Sequence, residues 1–84
     1  MDRDAIFICY TAAQKTAVAE VLTKRGDTVS NSAWSGDMRF PVMLYDKDHG
    51  LWVGYPRYAR MVNRKLEDGC KVIDLIESCT RGGY

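Results

Sequence analysis

The chain has 84 residues, of which 46% are apolar and 27% are charged. This length suits a single domain over residues 1–84 with one modest core, and the composition is that of a folded domain and not of a disordered segment. The formal net charge of +1 argues against a protein that coats DNA, because such proteins usually carry a strong basic excess. No apolar run approaches the roughly 18 residues that would predict a membrane span.

The N-terminus and the cysteines favour a cytoplasmic protein. Residues 1–4 are charged and the apolar run after them ends at Tyr10, whereas a secretory signal has a basic start and a longer apolar stretch. Cys9, Cys70 and Cys79 are odd in number and lack CxxC spacing, which disfavours a disulfide framework. We therefore expect reduced thiols in a cytoplasm.

The first part of the chain predicts a strand and then a helix. Residues 5–10 are continuously apolar and rich in strand formers, which is typical of a strand covered on both faces. Thr11 and Gln14 have the spacing of a capping box, in which two side chains satisfy backbone N–H groups at a helix start. The helix is predicted over residues 12–25. Its apolar stripe is predicted to comprise Ala13, Ala17, Val18, Val21 and Leu22.

Two strands joined by a polar turn are predicted in the middle of the chain. Apolar residues alternate along residues 40–45 and 51–55, as in strands with one buried face. The turn between them, residues 46–50, resembles the opening of a calcium loop. However, Gly50 stands where an oxygen ligand is needed, and Arg57 stands where a bidentate glutamate should complete the site. We therefore interpret this segment as a turn that uses Asp and Gly for backbone reasons.

The other segments have weaker patterns. The polar residues 28–35 indicate either a short edge strand or an irregular crossing, and residues 57–68 indicate a helix. Residues 70–73 predict a short strand.

Asp74 suits the start of a last helix over residues 75–80, although one helix over residues 70–80 is the competing interpretation. The resulting β-α-β-β-β-α pattern predicts an α+β fold. We expect a small, mostly antiparallel sheet with helices packed largely on one face.

The histidine and the first cysteine do not form a recognisable reactive site. His49 lies in the predicted turn without the several ligands that a metal site gathers or the orienting partner that a catalytic histidine needs. Cys9 precedes a helix start, where a thiol can become nucleophilic, but a small buried hydrophobic residue explains it equally well. We therefore expect no enzyme, no metal and no cofactor, and a thiol-based redox protein at Cys9 is the least favoured alternative.

A cluster of basic and aromatic residues is the strongest candidate for a functional surface. If the segment after the second strand is helical, Arg57, Arg60 and Arg64 fall on one stripe. Arginine and aromatic residues dominate the binding energy of protein interfaces, and they also grip phosphates and bases. A solvated helix face is the plainer alternative. The near-neutral charge ranks a protein partner above nucleic acid, and the predicted contact residues are Trp52, Tyr55, Arg57, Tyr58, Arg60 and Arg64.

Taken whole, the chain resembles the short accessory proteins that bacteriophages encode. The likeness lies in the strand AIFICY, the helix end LTKRG, the hairpin FPVMLYDKDHGLWVGYP and the terminal KVIDLIES. These are structural patterns that supply no functional residues to carry over. The resemblance implies a protein that binds and blocks a host enzyme or a defence complex. We therefore predict a small non-enzymatic binding protein that inhibits a host or antiviral-defence protein, with nucleic-acid binding through the Arg/Tyr cluster as the alternative.

Overall fold

A computed structural model describes residues 3–76, and this part of the chain forms a four-stranded sheet with two α-helices and two short 3-10 helices. The strands have the order β3-β2-β1-β4 in the sheet. β1 is antiparallel to β2 and parallel to β4, and β2 is antiparallel to β3, so the predicted α+β class is confirmed. The elements are β1 (Ala5–Ile8), α1 (Ala12–Lys24), a 3-10 helix (Asn31–Trp34), β2 (Val42–Asp46), β3 (Gly50–Val53), a second 3-10 helix (Pro56–Tyr58), α2 (Ala59–Glu67) and β4 (Lys71–Asp74).

The main core lies between the sheet and α1. Successive side chains of a strand point to opposite faces, and the register places Phe7 opposite Met43 on the face that α1 covers. The predicted capping box of this helix is confirmed. The Thr11 hydroxyl accepts a hydrogen bond from the backbone N–H of Gln14, and the Gln14 side-chain oxygen accepts one from the backbone N–H of Thr11. The buried cluster comprises Ala5, Phe7, Cys9, Val18, Ala19, Leu22, Ala33, Met43, Tyr45 and Leu51.

The predicted apolar stripe of α1 is partly wrong. Val18 and Leu22 are buried as expected, but the other three members, Ala13, Ala17 and Val21, are exposed. Their places on the inner face are taken by Ala19 and by Lys15, which is 0% exposed. The apolar stem of a lysine can pack like a long hydrophobic residue when its ammonium finds acceptors. A prediction from the helical spacing of apolar residues alone therefore identified the buried face of α1 incorrectly.

The centre of the second face of the sheet is also covered, although Val72 at its β4 edge is 46% exposed. Ile6 and Leu44 lie opposite each other in the register, point away from α1 and are buried. Helix α2 approaches this face, because Lys65 reaches the carboxylates of Asp4 and Asp46 there. The two helices thus lie on opposite faces of the sheet, whereas the sequence predicted packing largely on one face.

The segments with weaker patterns have definite structures. Residues 28–35 combine an isolated bridge between Val29 and Leu51 with the first 3-10 helix. The predicted turn between the two hairpin strands is present at residues 47–49, while Asp46 and Gly50 on either side belong to β2 and β3. The segment after β3 begins as a 3-10 helix and becomes α-helical only at Ala59, two residues later than predicted.

The end of the described chain favours one of the two interpretations. Lys71–Asp74 is a strand, so one helix over residues 70–80 is wrong for this part. The Asp74 carboxylate accepts a hydrogen bond from the backbone N–H of Ile76 at 3.0 Å, as a helix cap does. The predicted helix over residues 75–80 extends beyond the described residues. Between residues 3 and 76, no helix is long and apolar enough to cross a membrane.

Candidate functional site

The chain turns sharply where β3 ends, and this turn brings three of the predicted contact residues together. Pro56 opens the second 3-10 helix, and its fixed φ suits the first position of a helix. The backbone N–H of Tyr58 donates to the carbonyl of Tyr55 at 2.9 Å, which closes the turn. Tyr55, Arg57 and Tyr58 therefore project from one compact segment.

The guanidinium of Arg57 lies over both tyrosine rings. Its central carbon is 5.2 Å from the ring centroid of Tyr55 and 5.1 Å from that of Tyr58. Both distances fall within the range of a cation–π interaction. The tyrosines are half-buried and Arg57 is exposed, so the two rings hold a charged group at the surface in a defined position.

These tyrosines belong to a longer row of rings, which we call the aromatic row: His49, Trp52, Tyr58, Tyr55 and Phe40. Neighbouring ring centroids lie 6.3 Å apart for His49 and Trp52, 6.0 Å for Trp52 and Tyr58, 6.5 Å for the tyrosines and 4.9 Å for Tyr55 and Phe40. Three of the four contacts are edge-to-face, an arrangement that aromatic pairs favour. The row joins the hairpin turn at one end to the loop before β2 at the other.

Sequence reasoning missed Phe40 and its neighbour Arg39, although a signal for them was present. In the hairpin register Tyr45 pairs with Leu51, and extending that register brings residue 40 close to residues 55 and 56. The guanidinium carbon of Arg39 lies 5.6 Å from the Phe40 centroid.

The exposed arginines differ in whether they have a carboxylate partner. Arg39 is paired with Asp37 at 2.7 Å, and its hydrogen bonds lower the pKa of Asp37 to about 2. Arg57, Arg60 and Arg64, which we call the arginine stripe, are all exposed. Within residues 3–76 none of the three has an ion-pair partner. Arg60 and Arg64 are four residues apart on α2 and so share one face of the helix.

Lys65 holds α2, and with it Arg60 and Arg64, against the sheet. Its ammonium donates hydrogen bonds to Asp4 at 2.7 Å and to Asp46 at 3.1 Å. The residue is 8% exposed. Burial acts to lower the pKa of Lys65, but its bonds and charge interactions with the two carboxylates outweigh burial and raise it.

Lys15 fixes the Phe40 end of the aromatic row. Its ammonium donates to the backbone carbonyls of Asp37 at 2.8 Å and of Phe40 at 2.9 Å. A buried charge needs such hydrogen bonds, because leaving it without partners would be costly. The loop that carries Arg39 and Phe40 is thereby fixed to α1.

The other residues considered from the sequence do not join this site as reactive groups. Cys9 is 1% exposed, and burial raises the pKa of its thiol more than nearby Lys15 lowers it. His49 is exposed in the turn, with Nδ1 at 3.4 Å from the Asp46 carboxylate. The part of the chain that the structure describes holds no group of three His, Cys, Asp or Glu residues arranged for a metal ion.

Comparisons of the chain with protein-family models, with curated proteins and with solved structures gave no match.

Proposed function

We propose that this chain is a small non-enzymatic binding protein whose contact surface is centred on Arg57 and the two tyrosines beneath it. The observation that carries the proposal is an exposed guanidinium held over two half-buried rings with no carboxylate partner among the described residues. Arginine and tyrosine are enriched among the residues that dominate interface energies. Because the rings already position the guanidinium, less conformational freedom is lost when a partner binds.

A protein partner fits this surface better than nucleic acid does. Single-stranded nucleic acids bind by stacking bases on exposed ring faces. Here Arg57 lies over Tyr55 and Tyr58, and Trp52 and Phe40 make edge-to-face contacts with them. The net charge of +1 also gives little general attraction to a polyanion. Nucleic-acid binding is therefore the second candidate.

The proposed biological role is inhibition of a host or antiviral-defence protein in the host cytoplasm. The resemblance to short phage accessory proteins supports this part of the proposal. Inhibition of this kind needs only a surface that occupies the target, and a stable interface uses about 800 Å² on each partner. A domain of this size can supply such an area.

The test is affinity capture of partners from the native host cell, with quantitative mass spectrometry. The decisive variant is the stripe variant, Arg57→Ala/Arg60→Ala/Arg64→Ala. The charge-matched control, Lys24→Ala/Arg25→Ala/Lys47→Ala, removes three exposed cations from elsewhere. Circular dichroism checks that both variants fold.

We expect a specific protein to be captured by the wild type and the control variant and lost by the stripe variant. Adding the pure wild-type protein to that partner should reduce the partner's activity. Equal capture by all three proteins would reject the proposed surface. Recovery of nucleic acid alone, with binding that weakens steeply as salt rises, would instead support the second candidate.

A further inference from the structure

We infer that the partner presents an acidic segment to the arginine stripe, with carboxylate side chains that meet Arg57, Arg60 and Arg64. This inference rests on the proposed function and adds the chemistry of the partner to it.

The first support is the contrast between paired and unpaired arginines at one site. Arg39 uses both Nε and Nη2 on the carboxylate of Asp37, so its charge is already satisfied. The three stripe arginines have no such partner within residues 3–76. A guanidinium binds a carboxylate through two parallel hydrogen bonds, so these three groups are complementary to Asp and Glu side chains.

The spacing of the stripe provides the second support. Arg60 and Arg64 are separated by about one helical turn, roughly 6 Å along the axis, and Arg57 precedes them by about one turn. In an extended peptide, every second side chain points the same way at intervals of roughly 6.6 Å. An extended segment with Asp or Glu at alternate positions would therefore place one carboxylate near each guanidinium.

The short extent of the stripe favours a short acidic segment over a long polyanion. Its three guanidinium groups come from residues 57–64, which span only about two helical turns. The net charge of +1 gives little further attraction to the phosphates of a nucleic-acid strand that continues past the stripe. A protein segment can place its carboxylates over the stripe and neutral residues on either side.

The experiment is selection of displayed random dodecapeptides on the immobilised wild-type protein, followed by synthesis of the most enriched peptide. We expect Asp and Glu to be enriched at alternate positions. The affinity of the synthetic peptide should fall at least about tenfold for the stripe variant, and about as much when its acidic residues become Asn or Gln. The charge-matched control variant should bind it as tightly as the wild type does.

Two other outcomes separate the inference from the proposed function. Peptides that need Arg57 and Tyr58 but contain no acidic residues would overturn the inference and leave the proposed function standing. Failure to select any peptide whose binding depends on the stripe would count against both. A fluorescent single-stranded oligonucleotide that binds the wild type at about 50 mM salt, in the absence of stripe-dependent peptides, would also overturn both.

Discussion

The ammonium of Lys65 lies 2.7 Å from the carboxylate of Asp4, so helix α2 is joined to the start of β1 by an ion pair in which the lysine is nearly buried and the aspartate is partly exposed. Asp46, at the end of β2, accepts a second hydrogen bond from the same ammonium. The helix that carries Arg60 and Arg64 is thus tied to the two central strands. A substitution that weakens this contact should therefore lower the stability of the fold and also displace the helix that carries part of the proposed binding surface.

Replacing Lys65 with methionine should test that connection. The variant Lys65→Met keeps most of the side-chain volume but leaves Asp4 and Asp46 without their cation. We expect the free energy of unfolding, measured by urea denaturation, to fall by about 1–3 kcal/mol, since the carboxylates are partly exposed and the full cost of breaking a buried pair does not apply. Lys47→Met is the control, because Lys47 is exposed, and a change within about 0.5 kcal/mol is expected.

The ionisation of Asp46 should make stability fall in acid. Partial burial acts to raise the pKa of Asp46, but the backbone N–H of Asp48 and the ammonium of Lys65 outweigh it and hold the pKa below its usual 3.8. The stabilisation is therefore complete above the unfolded-state pKa and is lost as the pH falls through the lower folded-state pKa.

Urea denaturation at a series of pH values from about 5 to about 2 measures this effect. We expect the unfolding free energy of the wild type to decrease more steeply than that of Asp46→Asn, which has no carboxylate to protonate at this position. Asp48→Asn retains the backbone N–H that Asp46 accepts and should follow the wild-type slope. Equal slopes for the wild type and Asp46→Asn would contradict the prediction.

The sequence was informative where structure depends on neighbouring residues. The capping box of Thr11 and Gln14 was predicted correctly, and so was the turn between β2 and β3. In both features the hydrogen bonds join residues that are no more than a few positions apart. The basic stripe was read from helical spacing, and the structure places Arg60 and Arg64 exposed on α2.

The rest depended on contacts between distant residues. Lys15 was not predicted to be buried, because its acceptors are backbone carbonyls 22 and 25 residues away, and a carbonyl carries no sequence signal. Phe40 joins the aromatic row only through the hairpin register. The presence of helices on both faces followed from Lys65 binding Asp4, 61 residues away. Spacing along the chain could not reveal the contacts of Lys15 and Lys65, whereas an extended hairpin register would have placed Phe40 near Tyr55.

Lys15→Met should show how much the buried ammonium contributes. Methionine can fill a similar space, but the carbonyls of Asp37 and Phe40 would lose their donor in a site with little access to water. We expect a loss of about 1–3 kcal/mol in urea denaturation. The amides of residues 37–40 should also exchange hydrogen faster. Lys24→Met, at an exposed position of the same helix, should change neither measurement appreciably, and similar results for both variants would refute the role of Lys15.

Gly50 should be the least replaceable glycine of the hairpin. Its φ is +83°, and a Cβ would lie 2.1 Å from the backbone carbonyl oxygen of Thr28, which accepts the N–H of Leu51. Gly50→Ala therefore combines left-handed strain with a clash against backbone, and we expect a loss of about 3 kcal/mol or more. Gly69 has a φ of +79° but open space around it, so Gly69→Ala should cost only about 1–2 kcal/mol. Equal losses in thermal or urea denaturation would show that the clash is relieved.

The thiol of Cys9 should react slowly in the folded protein. It is nearly inaccessible, and burial raises its pKa, so little thiolate is exposed to a reagent at neutral pH. Burial also raises the pKa of Cys70, but that residue is only half-buried. Timed labelling with N-ethylmaleimide, followed by mass spectrometry of the peptides that carry each cysteine, should show faster modification of Cys70 in buffer. In denaturing urea the difference should disappear. If Cys9 is labelled as fast as Cys70 in the folded protein, the result would contradict this prediction and support the alternative of a reactive thiol at Cys9.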